Sequence, residues 1–179
     1  MIKRLRPEYT EEEFKKIYPE TNDHTKWWEH ELRIKLTIDF GQSLIKFPDN
    51  VADLSAGKHA TIAKAFSSQL ILGDYCEGYP IKGKLEDTIH TIPNVYLYIC
   101  SETLEHVNDP KYVLESIRKK SKCLILSTPL AEWGSNNPEH YWAWDMEGIQ
   151  ELMDQTGWRS IGKMAVYLPS YDFQIWVCV

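Results

Sequence analysis

Val51-Ala-Asp53-Leu-Ser55-Ala-Gly57-Lys-His59-Ala60, running on into Thr61-Ile-Ala-Lys-Ala-Phe66, is the stretch whose reading decides the fold. A short apolar run ends at an acid and a tight turn at Gly57. Behind it Ala60, Ile62, Ala63, Ala65 and Phe66 follow at helical spacing. Strand, glycine turn and helix form the repeating unit of an open α/β sheet. Downstream, residues 69–72 read as a second strand ending at Gly73-Asp74, 95–100 as a strong buried strand, and 123–127 as another, stopped by Thr128-Pro129. Asp109-Pro110 supplies an N-cap and a first-turn proline for a helix that points Val113, Leu114 and Ile117 inward. Arg118, Lys119, Lys120 and Lys122 crowd its end and complement the helix dipole. Asp145 opens a further helix through Ile149, Leu152 and Met153, which Gly157 stops. Strands alternating with helices predict a mostly parallel sheet. The close pair 163–168 and 173–179 predicts an antiparallel hairpin at its edge. The turn-rich stretch between Asp74 and Val95 leaves the middle of the sheet short.

On the N-terminal side, Thr10-Glu-Glu-Glu13 is a capping box that opens a short helix through Phe14 and Ile17 to Pro19. A polar break at residues 20–22 precedes Asp23, the expected N-cap of a longer helix. Trp28, Leu32, Leu36 and Phe40 form its apolar stripe and Gly41 closes it. The length of 179 residues suits one domain, with residues 1–41 as a helical cap or lid and 51–179 as the core. Hydrophobic residues at 43% and charged residues at 26% are globular proportions, which exclude a disordered or fibrous chain. Twenty Lys and Arg against 26 Asp and Glu give a formal charge of −6, so a chain-wide surface for long nucleic acid is absent. Cys76, Cys100, Cys123 and Cys178 occur singly, which excludes a zinc ribbon or redox dithiol. No apolar run reaches the roughly 18 residues of a membrane span. A cytoplasmic protein with reduced cysteines and no membrane partner is expected.

In an open parallel sheet, ligands bind outside the carboxyl ends of the strands. Those ends carry residues 53–59, Asp74, residues 101–106 and the chain from Thr128 onward. The Gly57 turn lacks two glycines of a dinucleotide fingerprint, so by spacing alone it suits a nucleotide-like ligand or an ordinary turn equally. Asp74 is placed to take two ribose hydroxyls or simply to shape a turn. Glu102, Glu105 and His106 would share one face if their segment were helical. Two carboxylates and an imidazole on one face are either a solvated surface or half of a divalent-metal site. His140, in the aromatic loop after the next strand, is a second imidazole for that group.

Val-Ala-Asp53-Leu-Ser-Ala-Gly57, Leu-Ile-Leu-Gly-Asp74, Tyr-Ile-Cys-Ser-Glu102-Thr-Leu-Glu105-His106-Val-Asn-Asp-Pro, Ile-Leu-Ser-Thr128-Pro129 and Asn-Pro-Glu139-His140-Tyr-Trp-Ala-Trp-Asp together resemble class I S-adenosylmethionine-dependent methyltransferases, with compact phage-type enzymes closest in layout. The resemblance covers residues 51–179 and implies a Rossmann-like sheet shortened between its second and fourth strands. It implies that Asp53, Ser55, Gly57, Asp74, Ser101 and Glu102 bind the cofactor, with Asp74 on the ribose or near the adenine. Ser55, Ala56 and His59 depart from the usual glycines. The order Glu102, Glu105, His106 and a later His140 is also similar to metal-dependent subgroups, the RNA 3′-terminal 2′-O-methyltransferases and the O-methyltransferases of quinone biosynthesis. A divalent ion on those four residues is implied by that likeness.

Asp23, His24, Trp27 and Arg33 precede the sheet, where related enzymes place a lid. Arg33 there is either a surface arginine or the partner of the cofactor's methionine carboxylate. The expected activity is methylation of a hydroxyl on a small molecule, sugar or terminal nucleotide, with His106, His140 and Glu102 as catalytic residues. An alcohol needs a base or a cation to become a nucleophile at neutral pH. No Asn-Pro-Pro-Tyr-type or Cys-Pro segment for base nitrogens or carbons follows Cys100. The alternatives are a catalytically silent S-adenosylmethionine-binding module and a hydrolase or lyase that degrades the cofactor. The aromatic loop 133–144 is the expected stacking surface for the acceptor, or else an anchor for the last helix.

Overall fold

The structure, a computed structural model, describes residues 1–20, 23 and 26–179. Asn22 and His24 lie outside the described residues. A seven-stranded sheet runs β4-β3-β2-β5-β6-β9-β8. Its strands are β2 (Val51–Asp53), β3 (Leu70–Asp74), β4 (Ile81–Lys82), β5 (Val95–Ser101), β6 (Ser121–Pro129), β8 (Ser160–Val166) and β9 (Phe173–Cys178). The five strands from β4 to β6 are parallel, and β9 runs antiparallel to both β6 and β8. The expected mixed Rossmann-like sheet and its C-terminal hairpin are present. The shortening falls on β4, which has two residues and is followed only by the single turn α4 (Leu85–Thr88) and a 3₁₀ turn.

Helices cover both faces, and the central strands accordingly read as unbroken apolar runs. Leu97 and Ile99 of β5, with Cys123 and Ile125 of β6, face α2 (Trp28–Leu44) and α3 (Thr61–Phe66). The alternate residues Tyr98, Cys100, Leu124 and Leu126 face α5 (Pro110–Lys120) and α6 (Met146–Gln155). The caps fall where the sequence puts them. Thr10 and Glu13 exchange the capping-box bonds of α1 (Glu11–Ile17), Asp109 accepts from Tyr112 N, and Asp145 accepts from Gly148 N. All four cysteines are free. No helix among the described residues is long and apolar enough to cross a membrane.

Three expectations are corrected. Asp23 does not cap α2, whose N-cap is Trp27 without a side-chain bond; Asp23 instead pairs with Lys58 and His59 beyond the glycine turn. The buried line of α2 is Arg33, Thr37 and Gly41, not the Trp28 stripe, and Trp28 is exposed. Ile34 and Ile38 beside that line make the apolar contact with the sheet. Gly41 does not end the helix either. It lets α2 approach the sheet, since a Cβ there would lie 2.6 Å from Ile125 Cδ1 and 2.7 Å from Phe66 Cζ. A short β1 (Ile2–Arg4), pairing antiparallel with β7 (Trp142–Trp144), was not foreseen.

The close passage at Gly41 gives a measurable expectation. Gly41→Leu should lower unfolding free energy by about 1–3 kcal/mol through overpacking. Gly41→Ala should cost less, because a helix-propensity gain of roughly 1 kcal/mol offsets part of the overlap. Urea denaturation of the two variants checks both, and a Leu variant as stable as the parent would show that α2 rides further from the sheet.

Candidate functional site

A cavity of about 590 Å³ opens at the carboxyl ends of β2, β3, β5 and β6. Leu54, Ser55, Gly57, Asp74 and Tyr75 line it on one side, and Glu105, His106 and His140 on the other. Phe14, Tyr18, Trp27 and His30 reach it from the N-terminal segment.

The turn after β2 is built around two acids. Asp53 is buried and accepts from Ser55 N at 3.0 Å. Burial, with Asp74 adding to it, pushes its carboxyl up to about 7. Asp74 accepts from Gly57 N at 3.0 Å and Cys76 N at 3.1 Å, and burial raises its carboxyl too. Gly57 sits at φ +59° and Ala60 at φ +48°, so the turn keeps two left-handed positions with only one glycine. The Ser55 hydroxyl meets Thr103 Oγ1 at 2.6 Å and so ties this turn to the end of β5.

At the end of β5 the backbone turns left-handed at Glu102, φ +49°. The following Leu104–His106 is a 3₁₀ turn, not an α-helix, so Glu102 does not share a helical face with Glu105 and His106. Glu102 turns toward Ser127 Oγ at 3.2 Å, Tyr171 OH at 3.4 Å and the Arg33 guanidinium, whose Nε is 4.0 Å away. Arg33 is 2% exposed and donates to Ser101 Oγ at 2.6 Å. It is therefore neither a surface arginine nor open to solvent. Burial raises the Glu102 carboxyl while Arg33 draws it back down.

Glu105 is 1% exposed. Its Oε2 accepts from Thr128 Oγ1 at 2.9 Å, and that hydroxyl in turn accepts from Trp144 Nε1 at 2.8 Å. Among the described residues its Oε1 has no hydrogen-bond partner, and it lies 3.6 Å from His106 Nε2. Burial, then the charge of Glu102, pushes the Glu105 carboxyl up to about 8. His106 Nδ1 is 2.8 Å from Tyr18 OH and 3.0 Å from the Glu139 carbonyl. A carbonyl only accepts, so Nδ1 carries a proton, and Nε2 faces Glu105. His140 meets Glu132 through Nδ1 at 2.9 Å and Asn137 through Nε2 at 3.1 Å. Burial works against its charge, but the Glu132 bond and the nearby carboxylates raise it overall. Glu105, His106 and His140 each offer a ligand atom within 4.8 Å of the others, as a metal ion would need; Glu102 lies outside that group.

The aromatic loop supplies Tyr141 to the cavity, while Trp144 is a core anchor and Trp142 stacks under Arg4. Tyr18, Glu132, Glu139 and Tyr171 also line the cavity and are not among the expected site residues. Glu132 and Glu139 flank His140 in a loop read only for its tryptophans, so a count of its acids would have found them.

The elevated Asp53 carboxyl has a thermodynamic consequence. A folded-state pKa raised from 3.8 to about 7 means that the folded chain binds more protons than the unfolded chain across that interval. Its contribution to stability is complete below about pH 4 and is lost at roughly 1.4 kcal/mol per pH unit until about pH 7. Asp53→Asn, which keeps the oxygen facing Ser55 N, should flatten the fall in melting temperature over that window. Melting curves from pH 4 to 8 test it, and a parallel fall in both proteins would remove Asp53 as the cause.

No protein-family model and no curated protein matches the sequence. Solved structures do. The Burkholderia thailandensis 1,6-didemethyltoxoflavin-N1-methyltransferase, with S-adenosylhomocysteine bound, superposes at a TM-score of 0.73 and 12% identity, covering 99% of this chain and 93% of that one. N-methyltransferase NodS from Bradyrhizobium japonicum, also with S-adenosylhomocysteine, gives 0.67 at 12% identity over 92% and 96%. Magnesium protoporphyrin IX methyltransferase from Synechocystis, with S-adenosylmethionine, gives 0.64 at 11% identity over 94% and 89%. With a seven-stranded sheet of this order and these neighbours, the chain has the fold of the class I S-adenosylmethionine-dependent methyltransferases.

Proposed function

We propose that the chain transfers a methyl group from S-adenosylmethionine to a hydroxyl oxygen. The observation that carries this reading is one continuous cavity joining the Gly57 turn and Asp74 to the group of Glu105, His106 and His140. The residues present fit the cofactor. Asp74 uses one oxygen on each of two backbone amides and keeps further lone pairs for a pair of ribose hydroxyls. The Gly57 turn brings backbone close to the cavity, with Asp53 and Ser55 fixing its shape. Ser101 and Glu102 end the central strand beside that lobe. Arg33 serves the cofactor through them, by positioning Ser101 and Glu102. Residues 1–41 act as a cap over a core of residues 51–179 in a single domain, with Asp23 bridging to Lys58 and His59.

When bound, the cofactor supplies an electrophilic methyl on sulfur. The chain's own work is to align the acceptor, exclude water and take the hydroxyl proton. His106 is the base in this reading: Nδ1 is held by Tyr18 and the Glu139 carbonyl, and Nε2, beside Glu105 Oε1, would take the hydroxyl proton. His140, paired with Glu132, lends positive charge near the forming alkoxide. A divalent cation on Glu105, His106 and His140 would supply Lewis-acid lowering of the hydroxyl pKa in place of a base. The methyltransferases among the structural neighbours include enzymes named for nitrogen acceptors, so the oxygen assignment stands on the imidazoles alone.

Isothermal titration should show S-adenosylhomocysteine binding, weakened at least about tenfold in Asp74→Ala with the melting temperature as folding control. Absence of binding to both S-adenosylhomocysteine and S-adenosylmethionine would sink the reading. With labelled cofactor and cell extract, His106→Ala should abolish methyl transfer while cofactor binding survives. Loss of turnover on chelation, restored by a divalent ion, would assign the work to metal; full activity in both His106→Ala and His140→Ala would defeat both versions. Product analysis separates a methylated acceptor from degraded cofactor.

A further inference from the structure

The acceptor side of the cavity carries a charge pattern that the methyl-transfer reading does not use. Glu105, Glu132 and Glu139 surround the two imidazoles, and Glu8 and Glu86 lie on the wall nearer the N-terminal segment. Lys84 is the sole lysine or arginine among the described lining residues, and it is already spent: its Nζ lies 3.7 Å from Glu8 and 4.8 Å from the centre of the Phe14 ring. Arg33, held against Ser101 and Glu102, does not line this cavity. Among the described lining residues, an anionic acceptor such as a nucleotide would meet several carboxylates, with the His140 imidazole as the one positive group facing it besides the paired Lys84. The independent pointer to a ligand is Glu105 Oε1, an oxygen on a side chain 1% exposed, at the cavity wall and without a hydrogen-bond partner. A buried acceptor oxygen left unsatisfied costs about 1–3 kcal/mol, which a donor arriving with the ligand would remove. Phe14, Tyr18 and Tyr141 line the same space, and aromatic rings attract cations. Lys84 over Phe14 is an instance of that attraction within the fold itself.

We infer that the acceptor is a small molecule bearing a protonated amine, held by Glu105 and Glu139 against the tyrosine rings, beside the hydroxyl that receives the methyl group. The inference rests on the methyl-transfer reading for the hydroxyl, but not for the amine anchor. It narrows the acceptor to amino alcohols, aminated sugars or phenolic amines and removes terminal nucleotides. It also differs from a metal site, which would occupy the same carboxylates.

Three ring-matched probes separate the possibilities: tyramine, 4-ethylphenol and 4-hydroxyphenylacetate, titrated into the full chain with and without saturating S-adenosylhomocysteine. Tyramine should bind at least about tenfold more tightly than 4-ethylphenol, and 4-hydroxyphenylacetate most weakly. Glu105→Gln and Glu139→Gln should each cut the tyramine preference to less than about threefold while leaving S-adenosylhomocysteine affinity unchanged; if one variant fails to fold, the other carries the test. Equal binding of the three probes, preference for the carboxylate, or no tyramine binding at about 10 mM overturns the amine anchor. So does stoichiometric Mn²⁺ binding that expels tyramine but not 4-ethylphenol. A chain that prefers tyramine yet ignores S-adenosylhomocysteine would refute methyl transfer and leave the anchor standing, so the two failures are distinguishable.

Discussion

Arg33 carries a permanent charge to a place that is 2% exposed, where desolvating a guanidinium costs several kcal/mol unless its protons find partners. Its Nη1 donates to Ser101 Oγ and Ser127 Oγ, while Nε has only the Glu102 carboxylate 4.0 Å away, and all three partners stand at or just beyond the carboxyl ends of β5 and β6. The contacts that hold Arg33 therefore also fix where α2 lies along the sheet. Two turns onward, Gly41 lets the same helix settle against Ile125 and Phe66. Slipping the helix by one residue would put an apolar side chain under the serines and a cation among isoleucines. The N-terminal segment that roofs the cavity inherits its position from this one buried group.

From that anchor the acids of the site form a row. Asp53 and Asp74 end β2 and β3, Glu102 and Glu105 both follow β5, and burial raises each of them. Close-set carboxylates in a cavity favour protons or bound cations over mutual charge. Glu102 adds a left-handed backbone that a glycine would hold more cheaply, a strain that the Ser127, Tyr171 and Arg33 contacts over-determine. The cavity wall is thus the least comfortable part of a well-packed molecule, as a site that gains from its ligands must be.

Much of this was legible in the sequence for a plain reason. β5 and β6 are buried on both faces and so announce themselves as apolar runs, and the Asp109, Asp145 and Thr10 caps are local chemistry. The long N-terminal helix was legible only as a helix. Its sheet-facing line holds an arginine, a threonine and a glycine, and no hydrophobic count points to such a face. The group Glu105, His106 and His140 was found although the helix assumed to align it does not exist; a left-handed residue and a 3₁₀ turn bring it together instead. Spacing arguments on a helix could not show that Glu102 would turn away to Arg33. Tyr18 was invisible because its partner is 88 residues away.

The pairing of β1 with β7 joins residues 2–4 to residues 142–144, the segment directly after His140 and Tyr141. A two-strand ribbon closed across nearly the whole chain is a long-range contact of the kind that forms late. On a ribosome, residues 2–4 would wait on the order of ten seconds for their partner to be made. The parallel sheet and the turns after β2 and β3 can consolidate in that interval, while the loop carrying the second imidazole still lacks its closing strand. Assembly of this molecule would then proceed from the Gly57 turn toward the His140 wall of the cavity, so that a chain cut short before residue 142 would carry one half of the cavity with nothing to oppose it.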